Sequence, residues 1–419
     1  MFLRVPPSLK HRKFTYLWLG LMISIAGSQM QLAAIHWHIR ELTGEPDPLA
    51  LGGIGLARIL PVIVFSLIGG SLADSFNRRT ILFITQTAMA LTAIGLAWMT
   101  ITHSISVGAI YALTALQAVA VSFDGPARQS LVPNLVPTND LPNAFSMTSI
   151  AFNAGAILGP AVSGFVIAAG GLQMVYLFNA VSFGAVILAL LLIGEIPQSH
   201  AAQRPSFSFK TMLPDIRAGI EFIGRSPIIL STMLLDFFAT FFSSANTMMP
   251  IIARDILHTD EVGYGLLASA QSIGSVSAAL AISQMSGIRR QGQVFLSSVV
   301  VFGLATIGLG FSTNFALAIA FLVLIGASDS VSTIIRNTIR QLATPDHIRG
   351  RMTSINQIFF MGGPQLGEVE AGVVAQFFGV PFAIISGGLG CILAVFAIVR
   401  RWPEIAEFDG SERPAEAAA

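Results

Sequence analysis

Twelve apolar stretches, each bounded by charge, proline or glycine, govern what this chain can become. They fall at about 14–38, 50–73, 80–102, 106–123, 145–169, 174–193, 227–252, 262–286, 293–311, 315–334, 352–377 and 380–399, to within a few residues. About 20 apolar residues cross a bilayer's hydrocarbon core as a helix. A backbone in lipid must satisfy its own hydrogen bonds, so such segments are helical. The fold class that follows is an all-α membrane protein with twelve transmembrane helices. Only 11% of the 419 residues are charged and 53% are hydrophobic, where a soluble domain carries about 25% charge. The first stretch is longer than a signal-peptide core and lacks a small-residue cleavage site, so it reads as a retained span.

The same composition excludes several classes of function. Net charge is +1 and the basic residues are scattered, which leaves no nucleic-acid footprint. No glycine-rich phosphate loop precedes a Lys-Ser/Thr pair, so ATP is not the energy source. No nucleophile–base constellation suggests an enzyme. The lone Cys391 lies in an apolar run, and His36 and His38 sit only two apart. Neither a disulfide framework, nor a metal site, nor a cofactor is expected.

Lysine and arginine set the orientation. With the N-terminus in the cytoplasm, every one of the 23 Lys and Arg falls on a cytoplasmic segment except Arg40, Arg254 and Arg58. Moving one span would invert everything after it and destroy that asymmetry. Both termini are therefore expected inside. Trp18, Trp37, Trp98 and Trp402 lie near helix ends, as an interfacial aromatic belt requires.

The chain also repeats. Met147-Thr148-Ser149-Ile150 matches Met352-Thr353-Ser354-Ile355; Arg128-Gln129-Ser130-Leu131 matches Arg336-Asn337-Thr338-Ile339, each followed by a proline, Pro137 or Pro345. Arg40-Glu41 matches Arg254-Asp255, and Gly159-Pro160 matches Gly363-Pro364. All are displaced by half the chain, so two six-helix halves are related by a pseudo-two-fold axis along the membrane normal. The expected parts are an N-terminal bundle (1–193), a cytoplasmic linker (194–226) with an amphipathic surface helix at 211–224, a C-terminal bundle (227–400) and a disordered tail (401–419).

Residues 70–79, Gly70-Ser71-Leu72-Ala73-Asp74-Ser75-Phe76-Asn77-Arg78-Arg79, resemble the signature loop of the major facilitator superfamily. Ser75 departs from the usual basic residue and Asn77 from the usual glycine. Phe123-Asp124-Gly125-Pro126-Ala127-Arg128-Gln129, with Leu135-Val136-Pro137, Pro345-Asp346 and Arg349-Gly350-Arg351, is most similar to the enterobactin-exporter and macrolide-efflux branch. The resemblance spans nearly the whole chain. It implies a monomeric secondary transporter in a bacterial inner membrane, embedded in lipid, with a small-molecule substrate path between the halves. Proton-driven export of a drug or siderophore by alternating access is the expectation. An importer of lipid or nutrient, or a non-transporting receptor or scaffold, is the alternative.

Within that frame the resemblance implies a conformational latch of Gly70, Asp74, Arg78, Arg79, Asp124 and Arg128, with Arg78 pairing to Asp124. The alternative is that the loop only obeys the positive-inside rule. Ionisable groups inside spans are costly and mark function by default, which selects Arg58, Asp236, Asp329, Glu368 and Glu370 for gating or proton coupling. Arg58 is expected to pair with Glu368 or Glu370; these two carboxylates are ~200° apart on a helix and cannot share one partner. Asp236 is flanked by Phe237, Phe238, Phe241 and Phe242, and desolvation there suits a protonation-coupled group, or else it bonds a neighbouring helix. Asp329 carries a proton, or snorkels or pairs with a nearby arginine. Gln31, Gln271, Phe238 and Phe241 are candidate substrate contacts, though both glutamines could instead join helices. Gly155, Gly159, Pro160 and Gly164 resemble part of an antiporter signature and form a kinked small-residue face expected against the eighth helix at Gly274 and Ser277.

Topology gives a direct test. In a chain with Cys391 replaced, cysteines introduced at 78 and at 289 are both expected to react with impermeant thiol reagents from the cytoplasmic side only. Labelling of the two from opposite faces would overturn the twelve-span reading.

Overall fold

The computed structural model describes residues 6–75, 77–195, 221–242, 245–285, 288–344 and 349–409, without the side chains of 66–75, 245, 349–351, 353–355 and 357–361. Twelve long helices follow in order: α1 (Arg12–Thr43), α2 (Pro48–Ser75), α3 (Arg78–Ile101), α4 (Val107–Leu131), α5 (Leu141–Gly170), α6 (Leu172–Ile193), α7 (Pro227–Phe242), α8 (Glu261–Ser283), α9 (Gln291–Gly310), α10 (Phe315–Ala343), α11 (Arg349–Phe378) and α12 (Val380–Arg401). Among the described residues there is no strand. Among the described residues, eleven of the twelve, with the seventh taken on through Ile256, are long and apolar enough to cross a membrane. The exception, α11, bears Arg349, Arg351, Glu368 and Glu370.

Two helices run well past their apolar stretches. The α4 helix continues to Leu131 and α10 to Ala343. Hydropathy ends a span at its first charges, but a helix continues while its polar side chains find partners. Arg128, Arg336 and Arg340, read from sequence as loop residues, are therefore helical. Local chemistry fixes the starts. The Asn77 side chain accepts from the Arg79 and Thr80 amides, so the asparagine that departs from the signature loop serves as the N-cap of α3. Asn314 caps α10 in the same way. Gly171 and Gly379, both at positive φ, turn α5 into α6 and α11 into α12. Only glycine takes that conformation without strain.

Contacts group the chain into two compact units. The first comprises Met1–Glu45, Ala57–Phe207 and Thr259–Ser269. One of its apolar clusters joins Phe14, Leu17 and Leu21 of α1 to Leu82, Leu131, Met147, Val186 and Leu190. Ser8 bonds Asn143, and His11 meets Asp140 at 2.7 Å, fastening the segment before α1 to the start of α5. The second unit comprises Pro46–Leu56, Ser208–His258 and Ala270–Ala419, with Ile223, Ile229, Met233 and Met352 in one of its clusters. Here α7 ends at Phe242, and its course resumes at 245 as short 3-10, α and π turns through Ile256.

Several expectations need correction. Trp37 is buried, 5.0 Å from the Tyr264 ring, and donates to Glu41; it is a packing residue and not part of an aromatic belt. Of the surface helix at 211–224, residues 221–224 are helical and the remainder lie outside the described residues. In the tail, Glu404–Glu407 form a helical turn with Ile405 and Phe408 buried, and the Gly292 amide donates to the Phe408 carbonyl; 410–419 lie outside the described residues.

The small-residue face of α5 divides between two neighbours. A Cβ on Gly155 would stand 2.7 Å from Ile25, and one on Gly159 2.6 Å from Gln29, so both pack on α1. Gly164 and the Pro160 carbonyl meet α8, at Glu261 and Gly265, whereas Gly274 abuts Val323 of α10 and Ser277 bonds its own helix. The second unit holds a matching approach: a Cβ on Gly52 would lie 3.1 Å from the Gly372 Cα, and one on Gly55 2.4 Å from the Gln365 carbonyl. Gly53-Ile54-Gly55-Leu56 and Gly263-Tyr264-Gly265-Leu266 are thus a further repeat. Since the obstructing atoms are backbone, Gly164→Val is expected to destabilise the protein by about 1–3 kcal/mol, read as a lower melting temperature in detergent.

Candidate functional site: a buried charge cluster

The second unit concentrates charge where lipid-embedded helices afford least solvation. On α7, Ile229, Thr232, Met233 and Asp236 are all buried, a three-to-four spacing that marks the inward face. On α10, Asp329, Ser332, Arg336 and Arg340 recur at intervals of three and four, so they share one face as well. These two faces supply the cluster.

Asp236 is clasped from both sides. Its Oδ1 lies 2.9 Å from Arg336 Nη2, and its Oδ2 accepts from Arg340 Nη2 at 3.3 Å. All three are almost wholly enclosed, at 2–3% exposure. Arg340 also donates to the Thr232 hydroxyl and carbonyl and to the Asn356 side chain, tying α7, α10 and α11 together. Arg336 donates to Ser332 at 3.3 Å and has Asp329 at 4.0 Å. Two arginines and two aspartates give a formally neutral group.

Charge of this kind is tolerated in a low-dielectric setting only when paired and hydrogen-bonded. Asp236 accordingly bonds its neighbours, the second of the two readings its sequence context allowed. Asp329 meets Arg336 on its own helix. Arg336, Arg340, Thr232 and Asn356 were not singled out from sequence. The available signal was the absence of any proline or glycine between Gly326 and Pro345, which allows α10 to carry its arginines inward.

In the first unit, Asp124 accepts from Thr85 at 3.1 Å and Gln86 at 2.8 Å, and pairs with Arg128 one turn away at 3.4 Å. Arg78 donates instead to the Ser130 carbonyl at 2.9 Å and to Asn134. The expected Arg78–Asp124 pair is therefore replaced. Arg78 starts α3 whereas Gln86 lies two turns on, about 12 Å along the axis, so the arginine reaches the end of α4 and not its middle. Arg79 donates to the Leu190 carbonyl and lies over the Phe83 ring. Gly70 and Asp74 have side-chain positions outside the described residues.

Gln31 is buried and doubly engaged, donating to Gln117 at 2.6 Å and accepting from Asn179 at 2.7 Å. It joins α1, α4 and α6, the helix-joining arrangement that was one of its two expected roles. Gln271 is half-buried, its carbonyl against Gly326. Phe238 and Phe241 belong to a ring cluster on α7, with Phe237 stacked on Phe241 and Phe238 on Phe242 at 5.7 and 6.1 Å. Arg58 belongs to the first unit; Glu368 and Glu370 belong to the second. Among the described residues no group of three His, Cys, Asp or Glu could hold a metal ion.

Removing the centre of the cluster is expected to be costly. Among the described residues, Asp236→Asn leaves two buried guanidinia with only Asp329, 4.0 Å from Arg336, as counter-charge, a loss of about 3–5 kcal/mol. Reduced membrane abundance and a lower melting temperature are the expected readouts.

The profile of a family described as transmembrane secretion effectors matches residues 6–416. The multidrug efflux pump Tap of Mycolicibacterium fortuitum is 25% identical over 401 residues, covering 93% of this chain and 95% of that protein. The staphyloferrin A transporter of Staphylococcus aureus is 25% identical over 92% of this chain and 96% of its own. The enterobactin exporter EntS of Citrobacter koseri is 25% identical over 90% of this chain and 89% of its own. Among solved structures, a bacterial homolog of the human lysosomal transporter Spinster, inward-facing and unoccupied, superposes with a TM-score of 0.76 at 12% identity, covering 99% of this chain and 100% of that one. The chain thus belongs to the transmembrane secretion effector family of the major facilitator superfamily, and it is a many-span transporter, not an enzyme.

Proposed function

We propose that this transporter is a proton-driven exporter of amphipathic small molecules, of the drug or siderophore type. It works as a monomer in the bacterial inner membrane, with both termini in the cytoplasm and with residues 1–193 rocking against 227–400. The observation that carries the reading is the pairing of Asp236 with Arg336 and Arg340 inside apolar helices, with Asp329 beside them. A receptor or scaffold gains nothing from charge so costly to bury. Export, as against import, draws support from relatives that bear the names of an efflux pump and an exporter.

The test is flux in everted vesicles energised with an acid interior. Addition of a transported drug or siderophore is expected to draw protons out, and a protonophore to abolish substrate accumulation. Absence of both flux and proton movement across a broad panel would support a scaffold.

The gate joins Arg58 to Glu368 in this reading. Arg58→Gln and Glu368→Gln are each expected to lower transport by about tenfold or more, within the range of site-to-site couplings, at near-normal membrane abundance. Wild-type transport by both variants would remove the gate from the mechanism.

A further inference from the structure

The two aspartates of the charge cluster differ in what protonation would cost. Each Asp236 oxygen faces a guanidinium, at 2.9 and 3.3 Å. A proton there would take the direct partner from both buried cations and leave Arg340 with no carboxylate beside it among the described residues, an arrangement a low-dielectric interior tolerates poorly. Asp329 is placed otherwise. Its side chain is 37% exposed, and its nearest charged neighbour is Arg336 at 4.0 Å, too long for a hydrogen bond. Protonating it gives up one loose attraction and leaves the Asp236 clasp whole.

We propose that Asp329 is the proton-carrying acid of the second unit, that Asp236 is its doubly paired anchor, and that Arg336 is a positioning residue shared between the two. The proposal rests on the proton-driven reading above and assigns its titrating group. With Asp329 ionised, the two carboxylates balance the two guanidinia. A proton taken from water onto Asp329 leaves one positive charge in excess, and that charge falls on Arg336, whose Nη1 then keeps only the Ser332 hydroxyl. Release of the proton restores the balance. Arg336 is thereby drawn toward Asp329 in one state and held by Asp236 alone in the other, a two-position element on the face where α10 meets α7.

The surroundings keep this titration simple. Among the described residues, the charged groups around Asp329 are Arg336 on its own helix and Asp236 from α7, with Arg340 on the far side of Asp236. Along α9, which packs on α10, no titratable side chain occurs from Gln291 to Gly310, and α8 has none from Gly265 to Ser283. From α11 the described side chain at the cluster is Asn356, a neutral amide.

Two measurements on the full-length protein test the assignment. In reconstituted vesicles, the acceleration of efflux by a pH gradient is expected to fall by about tenfold in Asp329→Asn, as for loss of a typical coupling, leaving a residual flux without pH dependence. Arg336→Lys keeps the charge but cannot span two carboxylates as a planar fork does; its pH–rate profile is expected to shift. A residue that only supported the fold would lower the amount of protein and leave the profile in place. The second readout needs no transport: in the purified protein, the infrared carbonyl band of a protonated carboxyl that appears on acidification is expected to lose a component in Asp329→Asn and to retain it in Asp236→Glu. A wild-type pH profile or an undiminished band in Asp329→Asn would overturn the assignment. Absence of pH-dependent flux in the wild type would instead overturn the proton-driven reading, while the infrared comparison still decides which aspartate titrates.

Discussion

Asp236 held between two guanidinia is the constraint around which the second unit is arranged. A carboxylate inside a bundle of apolar helices is stable only if its counter-charges arrive with it, and those come from α10. That requirement explains why α10 stays helical past the end of its apolar stretch, and why Arg340 also reaches Thr232 and Asn356. The pairing of α7 with α10, and the attachment of α11 to both, follow from neutralising one group. Apolar packing alone would not give this register, because lipid chains compete equally well for leucine and phenylalanine and leave polar bonds and close contacts to choose among neighbours.

The glycine approaches answer the same problem without charge. Gly164 with Gly265, and Gly52 with Gly372, bring helix backbones so close that a single Cβ would collide with a carbonyl or a Cα. Such contacts gain dispersion energy over a broad area and involve no interlocked side chains. They fall in equivalent helices, α5 with α8 and α2 with α11, as a duplicated sextet requires. The charge cluster is not duplicated in this way. Arg128 corresponds to Arg336 in sequence, yet it turns to an aspartate on its own helix, Asp124, because α1 offers no carboxylate where α7 offers Asp236.

Much of the architecture was legible because membrane solvent imposes simple rules. Span number follows from hydropathy, and the matched phrases around Met147 and Met352 disclose the duplication. The misreadings share one physical cause. Hydropathy scores each residue alone, whereas the cost of a buried charge depends on its partner, so Arg336 and Arg340 read as loop residues until their partner across α7 is known. Arg78 differs for the complementary reason: sequence pattern assigned it a partner, but reach along a helix axis decides what it touches, while Gln117 and Asn179 hold Gln31 between helices, one of the two arrangements its sequence allowed. Asn77 shows the converse, a departure from the family pattern whose side chain does local work as a cap.

The two units therefore solve the burial of polarity differently. In the first unit, α1, α4 and α6 are joined through the amides of Gln31, Gln117 and Asn179, groups that keep the same charge at every physiological pH. In the second unit the tie among α7, α10 and α11 runs through carboxylate and guanidinium, where one proton would change the balance of the whole group. A neutral tie resists pH; a charged one responds to it. The duplicated sextets therefore do not bury polarity alike: the first joins three helices through neutral amides and keeps Asp124 paired within its own helix, whereas the second joins three helices through ions.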